Sequence, residues 1–165
     1  MKNNYLYIIF FFLTIPFTIA QESLSELLKK HNSNSVPYIS VQELAMPKTD
    51  AVIIDAREVE EYNVSHIKNA ISVGYDFFDL EKVTEAIKDK NQLIVVYCSL
   101  GIRSEKVAKQ IKSSGYTNVF NLYGGIFEWK NVDFPVYNEI GKTNKVHGFS
   151  KEWSIWLKKG DCVYE

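Results

Sequence analysis

The stretch that decides the fold is Leu93–Ile111, which reads LIVVYCSLGIRSEKVAKQI. Its first five residues are apolar and rich in β-branched and aromatic types, which predicts a buried strand of a parallel sheet. From Ser104 onward the apolar residues recur at helical spacing, which predicts a helix with one face on that sheet. The sequence thus predicts a strand, a short loop and a helix, the repeating unit of an α/β fold.

A cysteine opens the loop at the carboxyl end of the predicted strand. The loop reads Cys98-Ser99-Leu100-Gly101-Ile102-Arg103. Backbone amides at a helix N-terminus favour negative charge, so a thiolate there has a lowered pKa, and Arg103 adds a fixed positive charge. The loop therefore predicts a nucleophilic sulfur in an anion-binding cup. The alternative is that Cys98 is only a small buried hydrophobe at a strand end.

Other segments flank this unit in a characteristic order and spacing. They are VIIDAR (Val52–Arg57), Glu61-Tyr62, HIKNAI (His66–Ile71), GYTNV (Gly115–Val119), LYGGIFEW (Leu122–Trp129) and Pro135-Val136. Together with the cysteine loop they resemble the single-domain rhodaneses, a family of sulfurtransferases. The resemblance covers about residues 36–138. It departs from the family pattern at Ser65 and Asn69, where glycine is usual.

The resemblance implies a fold and a reaction. The implied fold is the three-layer rhodanese-like α/β fold, a parallel five-stranded sheet flanked by helices. Cys98 would accept a sulfane sulfur, become a persulfide and pass the sulfur on, while the loop amides of Ser99 to Arg103 hold the persulfide or the incoming anion. The implied partners are a small anionic donor, such as thiosulfate or a persulfide, and a thiol or cyanide acceptor. No cofactor and no metal are expected, and we expect a monomer.

Two other functions compete with sulfur transfer. Cysteine-dependent phosphatases, some of which share this fold, have one residue more than the four that separate Cys98 from Arg103. The shorter loop forms a smaller cradle, which suits one sulfur atom better than a phosphoryl group. The second competitor is a non-catalytic rhodanese-like module that carries or senses sulfur through a partner. The loop also has Leu100 and Ile102 where thiosulfate-tuned members carry basic residues, so we expect a low rate with thiosulfate.

Asp55 and Arg57 end the predicted strand Ala51–Ala56 and are candidate supporting residues. Strand ends carry the sites of α/β sheets, so both side chains could line the cup. The alternative is that Asp55 caps a helix beginning near Glu58 and that Arg57 pairs with a nearby acid.

The two ends of the chain carry separate predictions. We divide the chain into a signal peptide (1–20), an N-terminal helix and linker (21–35), the rhodanese domain (36–138) and a C-terminal extension with an amphipathic helix (139–165). A positive Lys2, an apolar run and small residues up to Ala20 predict a cleaved leader and an exported, periplasmic or secreted protein. The alternative is a membrane anchor formed by residues 5–19.

The C-terminal helix is predicted from the cap Ser150 to about Lys159. Its apolar stripe includes Trp153 and Trp156, which we expect to pack on the domain; the alternative is a helix that binds a partner or a membrane surface. Cys162 is the second of two cysteines. We expect a free thiol there, with a disulfide to Cys98 as the alternative.

Composition narrows the class of partner. The chain has 165 residues, 46% of them hydrophobic, which is enough for one domain with an ordinary core. Its formal net charge is −1, without a clustered stripe of lysine and arginine. Nucleic acid is therefore not an expected partner.

Overall fold

The computed structural model of the protein describes residues 22–164. Its main strands are β1 (Tyr38–Ile39), β2 (Val52–Asp55), β3 (Ile71–Ser72), β4 (Ile94–Tyr97) and β5 (Val119–Leu122). They form one parallel sheet in the order β1-β5-β4-β2-β3. The predicted α/β architecture with a parallel five-stranded sheet is therefore confirmed. The signal peptide predicted for residues 1–20 lies outside the described residues.

Helices cover both faces of this sheet. They are α1 (Leu24–His31), α2 (Val41–Leu44), α3 (Val59–Val64), α4 (Leu80–Ala86), α5 (Arg103–Ser113) and α6 (Gly125–Asn131). Apolar residues of α1, α2 and α6 share one core cluster, and those of α4 and α5 share a second. The two clusters lie on opposite sides of the sheet, which gives three layers.

The central strand β4 supplies both cores. Val95 and Tyr97 belong to one cluster, and Ile94 and Val96 belong to the other, as alternation along a strand requires. All four side chains are fully buried. β4 is hydrogen-bonded to β2 on one side and to β5 on the other. Cys98, which follows β4, is therefore held at the carboxyl end of the central strand.

The first turn of α6, which follows β5, is hydrogen-bonded to the backbone of the cysteine loop. The amide of Ile126 donates to the carbonyl oxygen of Cys98 at 2.9 Å, and the amide of Phe127 donates to that of Ser99 at 3.1 Å. Gly125 has a φ of +56°, and a Cβ at this position would lie 2.3 Å from the Cys98 carbonyl oxygen. Only glycine lets the two backbones approach this closely.

Helix α4 ends before the amphipathic pattern of its sequence does. Leu80, Val83 and Ile87 recur at helical spacing, but α4 ends at Ala86 and Ile87 has an extended backbone. The hydroxyl of Tyr116 donates to the Ile87 carbonyl oxygen at 2.6 Å. The chain beyond Ile87 then pairs with the segment before β5, where the Thr117 amide donates to the Lys90 carbonyl oxygen. Tertiary hydrogen bonds thus end the helix early.

The C-terminal extension is also less helical than predicted. After β6 (Val136–Tyr137), which ends the domain, the extension contains β7 (Lys142–Thr143), β8 (Lys145–His147), α7 (Lys151–Ser154) and β9 (Asp161–Val163). The prediction of a helix to Lys159 is wrong, because the side chain of Asn131 binds the backbone groups that would continue this helix. The Asn131 side chain donates to the Trp156 carbonyl oxygen at 2.9 Å and accepts from the Lys158 amide at 2.7 Å.

The extension still packs on the domain. Trp153, Trp156 and Leu157 are partly buried against the core cluster that contains α1 and α6. Cys162 is exposed on β9 while Cys98 is buried, and both are free thiols, so the alternative of a disulfide between them is not observed. In the range 22–164, no helix is long and apolar enough to cross a membrane.

The close approach at Gly125 generates a stability prediction. Gly115 also has a positive φ, of +99°, but a Cβ there meets nothing within 4 Å. Gly115→Ala should therefore cost only backbone strain, about 1 kcal/mol. Gly125→Ala should lower the free energy of unfolding by about 2 kcal/mol more, because its Cβ overlaps the cysteine loop. Urea denaturation of both variants measures the difference, and equal losses would contradict the role of this contact.

Candidate active site

The sulfur of Cys98 lies inside the loop that joins β4 to α5. The Gly101 amide donates to Sγ at 3.2 Å, and the Ser104 hydroxyl lies 3.5 Å from Sγ. The residue is almost fully buried, with 2% of its surface exposed. The predicted position of the cysteine, at a strand end and in front of a helix N-terminus, is the observed one.

Opposing effects act on the pKa of the Cys98 thiol. Burial is the largest and raises the pKa, because it disfavours the charged thiolate. The positive charge of Arg103 and the hydrogen bonds from Ser104 and the Gly101 amide lower the pKa. Their sum exceeds the effect of burial, so the pKa lies below that of an ordinary cysteine. A thiolate in this loop is both more populated and more nucleophilic than a buried thiol would otherwise be.

The loop backbone is oriented by two asparagine side chains. Asn32, just after α1, donates to the Gly101 carbonyl oxygen at 2.8 Å, and Asn121 on β5 donates to the same oxygen at 2.7 Å. In a trans peptide the carbonyl and the next amide point in opposite directions. The two hydrogen bonds to the Gly101 carbonyl oxygen therefore also fix the direction of the Ile102 amide, which shares its peptide plane.

Arg103 forms a bidentate ion pair with Glu61 on α3. Its two terminal nitrogens lie 2.7 Å from the two carboxylate oxygens, and one of them also donates to the Ser99 hydroxyl at 3.0 Å. Burial raises the pKa of Glu61, but the hydrogen bonds and charge of Arg103 lower the pKa below its usual value. The carboxylate therefore stays ionised and neutralises much of the charge that the loop would otherwise offer to an anion.

Asp55 and Arg57 do not line the cup. Both side chains are fully buried and form an ion pair with 2.7 Å between Arg57 Nη2 and Asp55 Oδ2. Asp55 also accepts a hydrogen bond from the hydroxyl of Tyr97, and Glu58 is the N-cap of α3. The expectation that Asp55 caps this helix is wrong because Arg57 and Tyr97 occupy its oxygens. The alternative local pairing of Arg57 is the observed one.

A cavity of about 60 Å³ opens directly over the sulfur. This is room for a few water-sized groups. Its lining consists of the loop residues Cys98, Ser99, Leu100, Ile102 and Arg103, with Phe149 and Trp153 from the C-terminal extension. The predicted loop residues thus meet in one place, with Gly101 donating to the sulfur from within the loop.

Several residues of the site were not assigned a role from the sequence. Glu61, Asn32 and Asn121 lie far from the loop along the chain, and their contacts depend on how α3, α1 and β5 are placed around it. Of these residues, only Glu61 could have been found from the sequence. It lies in one of the segments that resemble the rhodaneses, and its carboxylate is a candidate partner for Arg103. Phe149 lies in a segment where the resemblance has already ended.

Comparison with known proteins gives the family context of this site. The family model described as the rhodanese-like domain matches residues 40–132, more than half of the chain. Two curated relatives are called tRNA uridine(34) hydroxylase. The protein of Hamiltonella defensa is 40% identical over 100 residues, which is 56% of this chain and 28% of the relative. That of an Enterobacter species is 41% identical over 83 residues, 48% of this chain and 24% of the relative. The chain thus spans about a quarter of their length.

Solved structures show the same fold. A rhodanese-related protein from Thermoplasma volcanium has a TM-score of 0.54 at 23% identity, over 62% of this chain and 99% of that one. A thiosulfate sulfurtransferase from Pseudomonas aeruginosa has a TM-score of 0.56 at 24% identity, over 74% of this chain and 23% of that one. At this level of identity the likeness concerns the fold.

The ion pair between Arg103 and Glu61 generates the second prediction. Arg103→Met should lower the free energy of unfolding by about 3 kcal/mol, because it leaves the Glu61 carboxylate buried without its partner. Adding Glu61→Gln should recover most of this loss. The pKa of Cys98 should be higher in both variants than in the wild-type protein, because both variants lack the positive charge of Arg103.

Two measurements separate these effects. Urea denaturation reports stability, and the rate of Cys98 alkylation against pH reports the thiol pKa. If the double variant regained the wild-type pH profile, Arg103 would act on Cys98 through loop structure and not through its charge.

Proposed function

This chain belongs to the rhodanese-like domain family, and from that premise we propose that it is a sulfurtransferase that carries sulfur as a persulfide on Cys98. One observation carries the proposal: the buried Cys98 sulfur accepts a hydrogen bond from the Gly101 amide inside the loop, where Arg103 and Ser104 lower the pKa of the thiol. Such a loop stabilises a thiolate before attack and a persulfide anion after it. The same geometry supports the predicted role of the loop, Ser99 to Arg103, in holding the persulfide or the incoming anion.

The proposed reaction has two displacement steps. The Cys98 thiolate attacks the outer sulfur of a donor, R–SO₂–S⁻ or R–S–S⁻, and forms a sulfur–sulfur bond. The donor's own bond to that sulfur breaks, and its electron pair leaves with the sulfinate or thiolate. In the second step a thiolate or cyanide attacks the outer sulfur of the persulfide and releases Cys98 as a thiolate. After the two steps Cys98 is again a thiolate, so a full cycle leaves the oxidation state of the protein unchanged.

We expect thiosulfate to be a poor donor. Thiosulfate carries two negative charges, and the loop has Leu100 and Ile102 where a basic residue would attract it. The remaining cation, Arg103, already has a carboxylate partner 2.7 Å away. The net attraction for a dianion is therefore small.

Other activities fit the site less well. A phosphoryl group needs a wider cradle than a loop with four residues between cysteine and arginine. The tRNA hydroxylation named for the relatives belongs to proteins of which this chain spans about a quarter. A formal net charge of −1 also gives this chain little general attraction for a polyanion. The alternative that we retain is a non-catalytic module that carries sulfur for a partner.

We also propose that the protein works outside the cytoplasm. The support is the sequence of residues 1–20, with its apolar run and the small residues before Gln21. A small thiol or persulfide acceptor is compatible with such a compartment. Determining the N-terminal residue of the protein from its native host tests this, and a chain that still begins at Met1 would exclude cleavage.

Intact mass spectrometry tests the proposed function. After incubation with a thiosulfonate or thiosulfate, the wild-type protein should gain about 32 Da, the mass of one sulfur, and Cys98→Ser should gain nothing. Adding cyanide or a thiol should remove the gain and release thiocyanate or a new persulfide.

Turnover separates the enzyme from the carrier module. Repeated cycles with donor and acceptor alone support a sulfurtransferase. A single charging step that no small acceptor discharges would favour the module. An alkylatable Cys98 that no donor charges would contradict both.

A further inference from the structure

Two aromatic residues from outside the family match form one side of the cavity over Cys98. Phe149 and Trp153 belong to the C-terminal extension, beyond the matched residues 40–132. The other apolar members of the lining are Leu100 and Ile102 from the loop. These four residues, here called the apolar wall, face the space that a donor must enter to reach the sulfur.

The backbone at Phe149 holds this side chain in an unusual position. Its φ is +61°, in the left-handed region that large residues rarely adopt. Such strain persists where surrounding contacts fix it, and it is frequent at functional sites. Here the Phe149 amide donates to His147 Nδ1 at 3.1 Å, and the ring lies 4.3 Å from the guanidinium carbon of Arg103. The strained residue therefore covers the face of the arginine that lines the cavity.

Trp153 is held in place by contacts of its backbone and of its ring. It lies on the short helix α7, whose cap Ser150 accepts from the Trp153 amide. The ring packs edge-on against His31 at the end of α1, with 5.6 Å between ring centroids. It is also partly buried against the core. The N-terminal helix α1 therefore supports Trp153, one of the two wall residues that the C-terminal extension contributes.

The charge at the cavity is already satisfied. The polar edge of Arg103 is occupied by Glu61 and Ser99, and its face is covered by Phe149. A doubly charged inorganic donor would have to desolvate its oxygens against four apolar side chains, which is costly. A donor with an apolar group in place of an oxygen would bury that group favourably on the same surface.

We propose that the apolar wall selects donors whose transferable sulfur is carried on an apolar organic group. This inference rests on the proposed function and names the substrate class of that site. Phe149 and Trp153 are the specificity-determining residues. The reacting end of the donor, a terminal anionic sulfur, is unchanged, so it still meets the loop amides. For an aryl thiosulfonate, the sulfur goes to Cys98 and an aryl sulfinate leaves with the electron pair.

A matched pair of donors tests this selection. Benzenethiosulfonate and thiosulfate share the reacting sulfur and differ in a phenyl group against an anionic oxygen. We expect a higher kcat/KM for benzenethiosulfonate in the wild-type protein. Phe149→Ala and Trp153→Ala should each lower the ratio of the two values by about tenfold, mainly through benzenethiosulfonate. Ile155→Ala is the control, because Ile155 follows the same helix, is 55% exposed and is not part of the cavity lining.

A second assay is independent of sulfur transfer. The alkylation rate of Cys98 is compared for N-benzyl iodoacetamide and iodoacetate, and the preference for the benzyl reagent should fall in the same two variants. Thermal unfolding of each variant checks that the fold is retained, and Trp153→Phe is used if Trp153→Ala does not fold.

The outcomes separate the two proposals. Loss of both preferences in the wall variants, but not in Ile155→Ala, supports the inference. Unchanged preferences in folded variants overturn it, as does a wild-type protein that favours thiosulfate. If neither donor charges Cys98 but the alkylation preference depends on the wall, the sulfurtransferase proposal fails, and the donor-selection inference fails with it.

Discussion

The bidentate ion pair between Arg103 and Glu61 is the interaction on which the site depends. It joins the first residue of α5 to α3, so it closes the cysteine loop against a second element of the fold. The same pair has two electrostatic consequences. The cation lowers the pKa of Cys98, while the carboxylate limits how much positive charge remains for a substrate. The protein thus activates its sulfur without building a general anion site.

Contacts from distant parts of the chain hold the rest of the loop in the same arrangement. Asn32 and Asn121 fix the carbonyl of Gly101, and the first turn of α6 brings two amides to the carbonyls of Cys98 and Ser99. Each of these hydrogen bonds contributes about 1 kcal/mol, and together they stabilise the observed conformation of the loop. These contacts keep the Gly101 amide directed at the sulfur, so the proposed reaction requires little reorganisation of the loop.

Local patterns in the sequence predicted the strand–loop–helix unit and the position of Cys98, while the five-stranded sheet was implied by the resemblance to the rhodaneses. The apolar run before Cys98 is short and rich in β-branched residues, which favours a buried strand, and helical spacing follows it at once. Features that depend on tertiary contacts were predicted less well. The C-terminal helix ends early because Asn131 binds its backbone, and Asp55 turns to Arg57 and Tyr97 instead of capping α3. Phe149 and Trp153, the aromatic side of the cavity, lie beyond the segments that resemble the family, so the resemblance could not predict their place in the site.

The central claim is that the amides of the loop hold the sulfur that Cys98 carries. Amide NMR spectra of the protein before and after charging with one sulfur test this directly. The account predicts that the largest shifts fall on the amides of residues 99–104, and that they revert when an acceptor removes the sulfur. Large shifts spread over the sheet, or a loop whose amides do not respond to charging, would contradict the claim.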